Sequence, residues 1–250
     1  IAADSRGRAS MLTGLEGATV VVVGASSGLG LATAVAARAA GAAVVIVARE
    51  PGRLAAAREA VGEGVRSFSL DAADGIAVEA MFAELGHVDH VASFTGEQPA
   101  ASVADTTHDQ YQRALDARVW AARNLCASAA PRMPATGSFT FCSGVSAWRP
   151  RPGRATGAAA TAALESYARG MAVELAPIRV NTVCPGSFDT PVLDRAFGER
   201  KDEAMKPYLS TLPLGRLGRP EELAHAVIFL MTNGYTTGTV LHVDGGSLLI

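Results

Sequence analysis

The residues with the most readable chemistry are three glycines, Gly24, Gly28 and Gly30, at the end of the run VVVVGASSGLG from Val20 to Gly30. Four consecutive β-branched residues describe a strand buried on both faces. An alanine-rich helical run follows from Leu31 to Ala40. A strand that turns through glycines into a helix aims unpaired backbone N–H groups and the positive end of the helix at one point. That is where a pyrophosphate is held. Glycines also close ordinary turns, but here both flanking elements are present, and the spacing predicts dinucleotide binding.

A second position selects the dinucleotide. Ala43 to Ala48, AVVIVA, reads as another buried strand. In dinucleotide-binding folds an acidic residue commonly ends that strand and bonds the ribose 2′-hydroxyl. Here Ala48 stands there and Arg49 follows. A carboxylate repels a 2′-phosphate, whereas a guanidinium holds it with charge-assisted hydrogen bonds. The expected cofactor is NADP(H), preferred over NAD(H); the alternative is an arginine solvated at a strand end.

The whole chain must supply the elements that position these groups. Its 250 residues suffice for one α/β domain with a large core, 49% of them are hydrophobic, and the net charge is −2. That balance excludes disorder by composition and the basic surplus of a nucleic-acid binder. Cys126, Cys142 and Cys184 are widely spaced, odd in number and set in apolar runs. Neither a disulfide scaffold nor a metal site is expected, and the cytoplasm is the expected setting. No apolar run has the length of a membrane span, so no membrane partner is expected. Residues 1–11 read as an extension or a cloning remnant, ten polar and unpatterned residues before Met11, and residues 12–250 as the dinucleotide-binding domain.

Along that domain, strands and helices alternate. Helix Pro51 to Val61 precedes strand Val65 to Leu70, which ends in Asp71. Helix Gly75 to Leu85 precedes a fourth strand at Val88 to Phe94, with Asp89 as a backbone organiser and His87 and His90 as structural or surface residues. Thr107 and Gln110 form a capping box that opens a long helix through Arg118 toward Ala129. Strand Ser138 to Cys142, a basic proline-broken loop, helix Gly157 to Leu175 and strand Arg179 to Cys184 follow. Helix Glu221 to Met231 and strand Val240 to Val243 close the pattern. Such alternation implies a doubly wound Rossmann-type α/β domain, a seven-stranded mostly parallel sheet with helices on both faces.

Several of these segments together resemble the short-chain dehydrogenase/reductase family, from about Leu12 to Gly246. VVVVGASSGLG is similar to the family's glycine motif, with Val23 where a threonine is usual. SLDAAD, ELAPIRVNTVCPGSFDTP, PLGRLGRPEELAHAVIFL and TGTVLHVDGG resemble further family segments in the same order. The resemblance implies that Gly24, Ser26, Ser27, Gly28, Leu29 and Gly30 surround the phosphates and adenosine ribose. Asp71 and Ala72 would meet the adenine, and Pro185, Gly186, Phe188 and Thr190 would line the nicotinamide end. The family's Asn-Asn-Ala-Gly motif reads Ser93-Phe94-Thr95-Gly96 here. Gly96 still permits close approach of backbone to coenzyme, and Phe94 packs on the adenosine or fills core. Leu193 to Leu212 resembles the family's variable lid. The helices through Arg118 and from Ala158 resemble its dimer-forming pair, implying a homodimer or homotetramer.

The same resemblance exposes a set of absences. Family members reduce carbonyls with a tyrosine, a lysine four residues later on one helix face, a serine and a supporting asparagine. Their positions fall here on Gly157, Thr161, Gly144 and Arg118. A one-residue slip restores Ser143 as the serine but not the pair. Tyr111, Tyr167, Tyr208 and Tyr235 are followed four residues on by Leu115, Met171, Leu212 and Thr239, so no Tyr-x-x-x-Lys exists.

Hydride addition to a neutral ketone leaves an alkoxide, and a positioned acid is worth about 10²–10⁴-fold. Three readings follow. The first is an NADP(H)-dependent oxidoreductase acting on an activated small-molecule electrophile, imine- or iminium-like, whose reduction forms no oxyanion. In it Arg118 anchors an acidic group or polarises the substrate, with Ser143 and Ser146 as candidate donors; the bland alternative pairs Arg118 with Asp116 or another acid. The second is a catalytically silent NADP(H)-binding sensor or partner subunit. The third is a non-redox cyclase or isomerase using the emptied pocket.

Overall fold

Valines in unbroken series can be buried only where a strand is covered on both faces, and the first strand shows this directly. In β1 (Thr19–Val23), Val21 and Val23 point into one apolar cluster while Val20 and Val22 point into the other. The computed structural model describes residues 14–97 and 99–250. The expectations for residues 1–11 and for the start of the domain at Leu12 lie outside the described residues.

The remaining elements follow in alternation. They are α1 (Gly28–Ala39), β2 (Ala43–Ala48), α2 (Pro51–Val61), β3 (Arg66–Ser69), α3 (Gly75–Leu85) and β4 (His90–Ser93). Next come α4 (His108–Leu115), α5 (Ala121–Ala129), β5 (Ser138–Cys142), α6 (Ala155–Glu174) and β6 (Arg179–Pro185). Two short helices, α7 (Pro191–Phe197) and α8 (Lys201–Leu209), precede α9 (Pro220–Thr232) and β7 (Val240–Val243). The seven strands form one sheet in the order β3-β2-β1-β4-β5-β6-β7, and every neighbouring pair is parallel. Helices α3, α5 and α6 cover one face; α1, α2 and α9 cover the other. The chain winds outward from β1 to β3 and then returns to β4 on β1's free side. That reversal opens a crevice at the carboxyl ends of the strands, where such sheets hold ligands. Among the described residues, no helix is long and apolar enough to cross a membrane.

Two expectations about the elements change. The long helix is not continuous: α4 starts on the Thr107–Gln110 capping box, but Asp116–Trp120 forms one widened π-helical turn before α5. Such a turn carries one residue more than the α-helix around it, and Arg118 is in it. Helix α6 also begins earlier than predicted, at Ala155, with Arg154 at its N-cap position.

Several polar groups inside the sheet are paired, while the buried hydroxyls of Thr140 and Thr182 have no partner among the described residues. The Asp89 carboxylate accepts the Thr19 N–H at 2.8 Å, tying β1 to the entry of β4. Arg179 donates to the carbonyls of Leu230 and Met231 at 2.5 and 2.6 Å, a cation against the C-terminal carbonyls of α9. His90 is buried, with Nδ1 2.9 Å from Ser138 Oγ. Burial, helped by the nearby Arg179 charge, lowers its pKa to about 4.

The unfolded chain protonates this imidazole near pH 6.5 and the folded protein does not, so unfolding takes up a proton between those values. Stability present above pH 6.5 is therefore lost as the pH falls toward 4, by on the order of 2–3 kcal/mol. Urea unfolding at pH 7 and pH 4.5 is expected to show a smaller loss on acidification for His90→Asn than for the wild type. Equal losses would show that His90 does not carry this dependence.

Candidate active site

At the end of β1 the chain must reverse beneath the start of α1 with almost no room. A Cβ at position 30 would lie 2.3 Å from the Gly24 carbonyl oxygen, and one at position 24 would lie 3.0 Å from the Phe94 carbonyl carbon. Gly24 and Gly28 have φ of +79° and +55°, the left-handed region that glycine enters without strain. Ser27 precedes α1 in an extended conformation, its side chain does not cap the helix, and no acidic residue stands in the first turn. The first N–H groups of α1 and its positive end are thus left for a ligand. Gly24, Ser26, Ser27, Gly28, Leu29 and Gly30 all lie in this turn or on the helix it opens. Arg53, from the first turn of α2, donates to Ser27 Oγ at 3.0 Å and adds a cation that the sequence reading missed.

The adenosine end carries a row of alternating charges. Arg49 Nη1 lies 3.8 Å from Asp71 Oδ2 and 3.5 Å from Glu97 Oε1. The Glu97 carboxylate is also 3.6 Å from Arg113 Nε on α4. Ala72 is buried, and Asn124 fixes its turn by donating to the carbonyls of Ala72 and Ala73 at 3.1 and 3.0 Å. Phe94, partly buried, packs against the apolar cluster beneath α1 and α9.

The other end of the crevice returns to the same turn. Pro185 ends β6, and a Cβ at Gly186 would lie 2.7 Å from Asp244 Cα. Phe188 is buried against Gly218. Thr190 Cβ lies 3.5 Å from the place a Cβ at Gly28 would take. The segment with Pro185, Gly186, Phe188 and Thr190 therefore meets the glycine turn, so the residues expected at the two coenzyme ends lie in one crevice. Beyond it α7 and α8 are pinned by Lys201, which bonds Asp189 and Asp194 at 2.8 and 2.7 Å. Arg151 stacks on the Tyr208 ring at 4.9 Å, joining the loop after β5 to α8.

Between the two ends stand the four positions singled out for chemistry. Arg118 is 5% exposed, and its Nη1 donates to the Glu97 carbonyl at 2.5 Å. Its Nε is buried with no hydrogen-bond partner among the described residues. It does not pair with Asp116, which accepts from Gln112 instead. Its guanidinium lies flat on Gly96, where a Cβ would come within 2.6 Å of Cζ. Gly96, where close approach of a coenzyme is expected, also lies against Arg118. Burial lowers the Arg118 pKa and lifts that of the neighbouring Cys142 thiol to about 12, so this cysteine is no thiolate at neutral pH.

Thr161 donates back to the Gly157 carbonyl at 2.9 Å and lies 3.2 Å from Ser146 Oγ. Gly144 is extended and opens the short turn Val145–Ala147. Ser143, a candidate donor to substrate, has protein partners in this structure. It is buried and donates to Glu165 Oε1 at 2.7 Å and the Val183 carbonyl at 3.2 Å. Glu165, 3% exposed, also accepts from the Trp148 indole at 3.0 Å, and that ring packs edge-on against His242. Glu165 went unnoticed although it follows Thr161 by one helical turn, which places both on one face.

With this geometry in view, the comparisons fit. The model of the family described as enoyl-(acyl carrier protein) reductase matches residues 24–247. Short-chain dehydrogenase/reductase ATR9 of Stachybotrys chlorohalonatus is 32% identical, over 94% of this chain and 98% of its own. Among solved structures, the MalC reductase/Diels-Alderase of Malbranchea aurantiaca is 29% identical with a TM-score of 0.88, over 94% of this chain and 98% of that one. A short chain oxidoreductase of Pseudomonas aeruginosa PAO1, described as containing an atypical catalytic center, is 30% identical with a TM-score of 0.87, over 93% and 98%. The chain belongs to the short-chain dehydrogenase/reductase family, whose members are oxidoreductases that use a nicotinamide coenzyme on small molecules.

The contact between Gly96 and Arg118 makes a specific demand. Gly96→Ala is expected to cost about 1–3 kcal/mol by overpacking, and most of that cost should vanish in an Arg118→Ala background. Chemical denaturation of the four proteins measures the coupling; an undiminished cost in the double variant would contradict the contact.

Proposed function

We propose that this protein is an NADP(H)-dependent reductase acting on an imine- or iminium-like electrophile, without the tyrosine–lysine proton relay of its family. The observation that carries the reading is the occupancy of the four positions. Gly144 and Gly157 offer no side-chain proton, Thr161 spends its hydroxyl on its own helix, and Arg118 cannot act as a neutral-pH acid or base. The coenzyme supplies a hydride at the nicotinamide. An imine already protonated by solvent to the cationic C=N takes up the hydride to give a neutral amine, so neither an oxyanion nor a nitrogen anion develops and no positioned acid is required.

The chain's own residues then bind and orient. The Gly24–Gly30 turn holds the pyrophosphate, Arg49 and Arg53 face the 2′-phosphate, Asp71 and Ala72 meet the adenine, and Pro185, Gly186, Phe188 and Thr190 flank the nicotinamide. Phe94 packs beside Gly24 and supports the turn. Arg118 is a fixed positive charge next to the reacting carbon, which disfavours a lone cationic substrate. The reading therefore calls for a substrate that brings its own acidic or carbonyl group to Arg118. Ser146, next to Thr161, is the remaining neutral donor. The large exposed side chains of Trp120 and Tyr167 on the α5–α6 side support a homodimer or homotetramer, and the reduced cysteines support a cytoplasmic setting. A second reading, catalysis of a cyclisation without net redox change, is favoured by the description of MalC as both reductase and Diels-Alderase.

Wild type is expected to bind NADPH more tightly than NADH by calorimetry, and Arg49→Asp to reverse that order by roughly tenfold or more, about 1.4 kcal/mol or above. In a panel of cyclic imines and simple ketones, NADPH oxidation should accompany the imines alone. Arg118→Ala should abolish it while leaving coenzyme affinity within about twofold. Ketone turnover matching the imines would overturn the reading. Binding with no turnover would leave a silent NADP(H)-binding protein, and product without NADPH oxidation would establish the cyclase.

A further inference from the structure

We infer that Glu97 is a coenzyme-discriminating residue, which competes with the 2′-phosphate for Arg49 and is held back from it by Arg113. The inference rests on the NADP(H) reading of Arg49 and adds to it residues that no coenzyme-binding motif contains.

The geometry starts from the sheet. Arg49 follows β2 and Glu97 lies beyond β4, with β1 between the two strands. Their 3.5 Å ion pair therefore reaches across the carboxyl end of β1, where the glycine turn begins. Arg49 is already shared, since Asp71 lies 3.8 Å from the same Nη1. Glu97 is shared in turn, since Arg113 Nε stands 3.6 Å from its other oxygen. The order Asp71, Arg49, Glu97, Arg113 is a row of alternating charges that sums to zero.

A 2′-phosphate brings a charge of about −1.5 to −2 into that row. To bond Arg49 it must displace the Glu97 carboxylate or sit beside it, and either way one acceptor is exchanged for another. NADH brings no such group and leaves the row undisturbed. Glu97 therefore acts on the difference between the two coenzymes rather than on the affinity both share. Arg113 has the opposite influence: each degree to which it holds the carboxylate leaves Arg49 freer. Its removal should hand Glu97 wholly to Arg49.

The groups are partly exposed, with side-chain exposures of 62% for Arg49 and 37% for Glu97. Solvent and salt thus limit the size of the effect. Glu97→Gln removes the charge and keeps the backbone carbonyl that accepts from Arg118, so the centre of the site is left in place.

Calorimetric titration of the full-length protein with NADPH, NADH, 2′,5′-ADP and 5′-AMP tests this in wild type, Glu97→Gln, Arg113→Ala, Arg49→Ala and the Glu97→Gln/Arg113→Ala double variant. At ~20 mM ionic strength, Glu97→Gln should tighten NADPH and 2′,5′-ADP by about three- to tenfold and leave NADH and 5′-AMP within about twofold. Arg113→Ala should weaken the two 2′-phosphorylated ligands. The double variant should match Glu97→Gln, and the differences should shrink at ~0.5 M salt. If wild type prefers NADPH and Arg49→Ala weakens it, yet Glu97→Gln leaves the NADPH-to-NADH ratio unchanged or lower, this inference fails and the coenzyme reading stands. If wild type prefers NADH, or Arg49→Ala leaves NADPH binding intact, the coenzyme reading fails and takes this inference with it.

Discussion

One backbone contact governs the molecule's working end: the carbonyl of Gly24 lies 2.3 Å from where any side chain at position 30 would begin. Because nothing larger than hydrogen fits, α1 can start directly against the end of β1, and its unpaired N–H groups face the crevice between β1 and β4. The rest of the fold maintains that approach. Four buried valines fix β1 between two apolar layers, α9 packs against α1 from behind, and the Thr190 loop closes down on Gly28. A side chain at position 30 would push α1 off the strand and dissolve the site from its centre outward.

Much of this could be read from residue order. Continuous β-branched runs at Val20–Val23 and Val44–Val47 mark buried parallel strands because nothing else in a soluble α/β chain tolerates them. The Thr107–Gln110 box announced its helix start, since capping is a local interaction between residues three apart. What failed to show was whatever depends on distant segments meeting. The resemblance singles out Arg118, but only the fold reveals that a π turn carries it and that it packs on Gly96 with Nε buried and unpaired among the described residues. Ser143 reads as a free hydroxyl because its partner, Glu165, belongs to another helix. The Arg49–Glu97 pair joins two strands that the chain order separates, so no pattern along the sequence signals it.

The charges in the crevice then tell a consistent story. Where Arg49 leaves the sheet, cations and carboxylates alternate. At the expected reacting end the Arg118 guanidinium is buried beside Cys142, and neither of these two groups releases a proton near neutral pH. Members of this family normally combine coenzyme binding with proton delivery. In this chain the glycine turn of the first is in place, and on the proposed reading Gly144, Gly157, Thr161 and Arg118 stand where the second would be.

The central claim is that hydride moves without a proton moving in the same step. Isotope effects on single-turnover reduction of a cyclic imine separate the two events. Coenzyme deuterated at the transferred position should slow the step, while heavy water should leave its rate within experimental error of that in ordinary water. A solvent effect of about twofold or more on that same step, expressed together with the coenzyme effect, would place a proton in flight with the hydride and contradict the account.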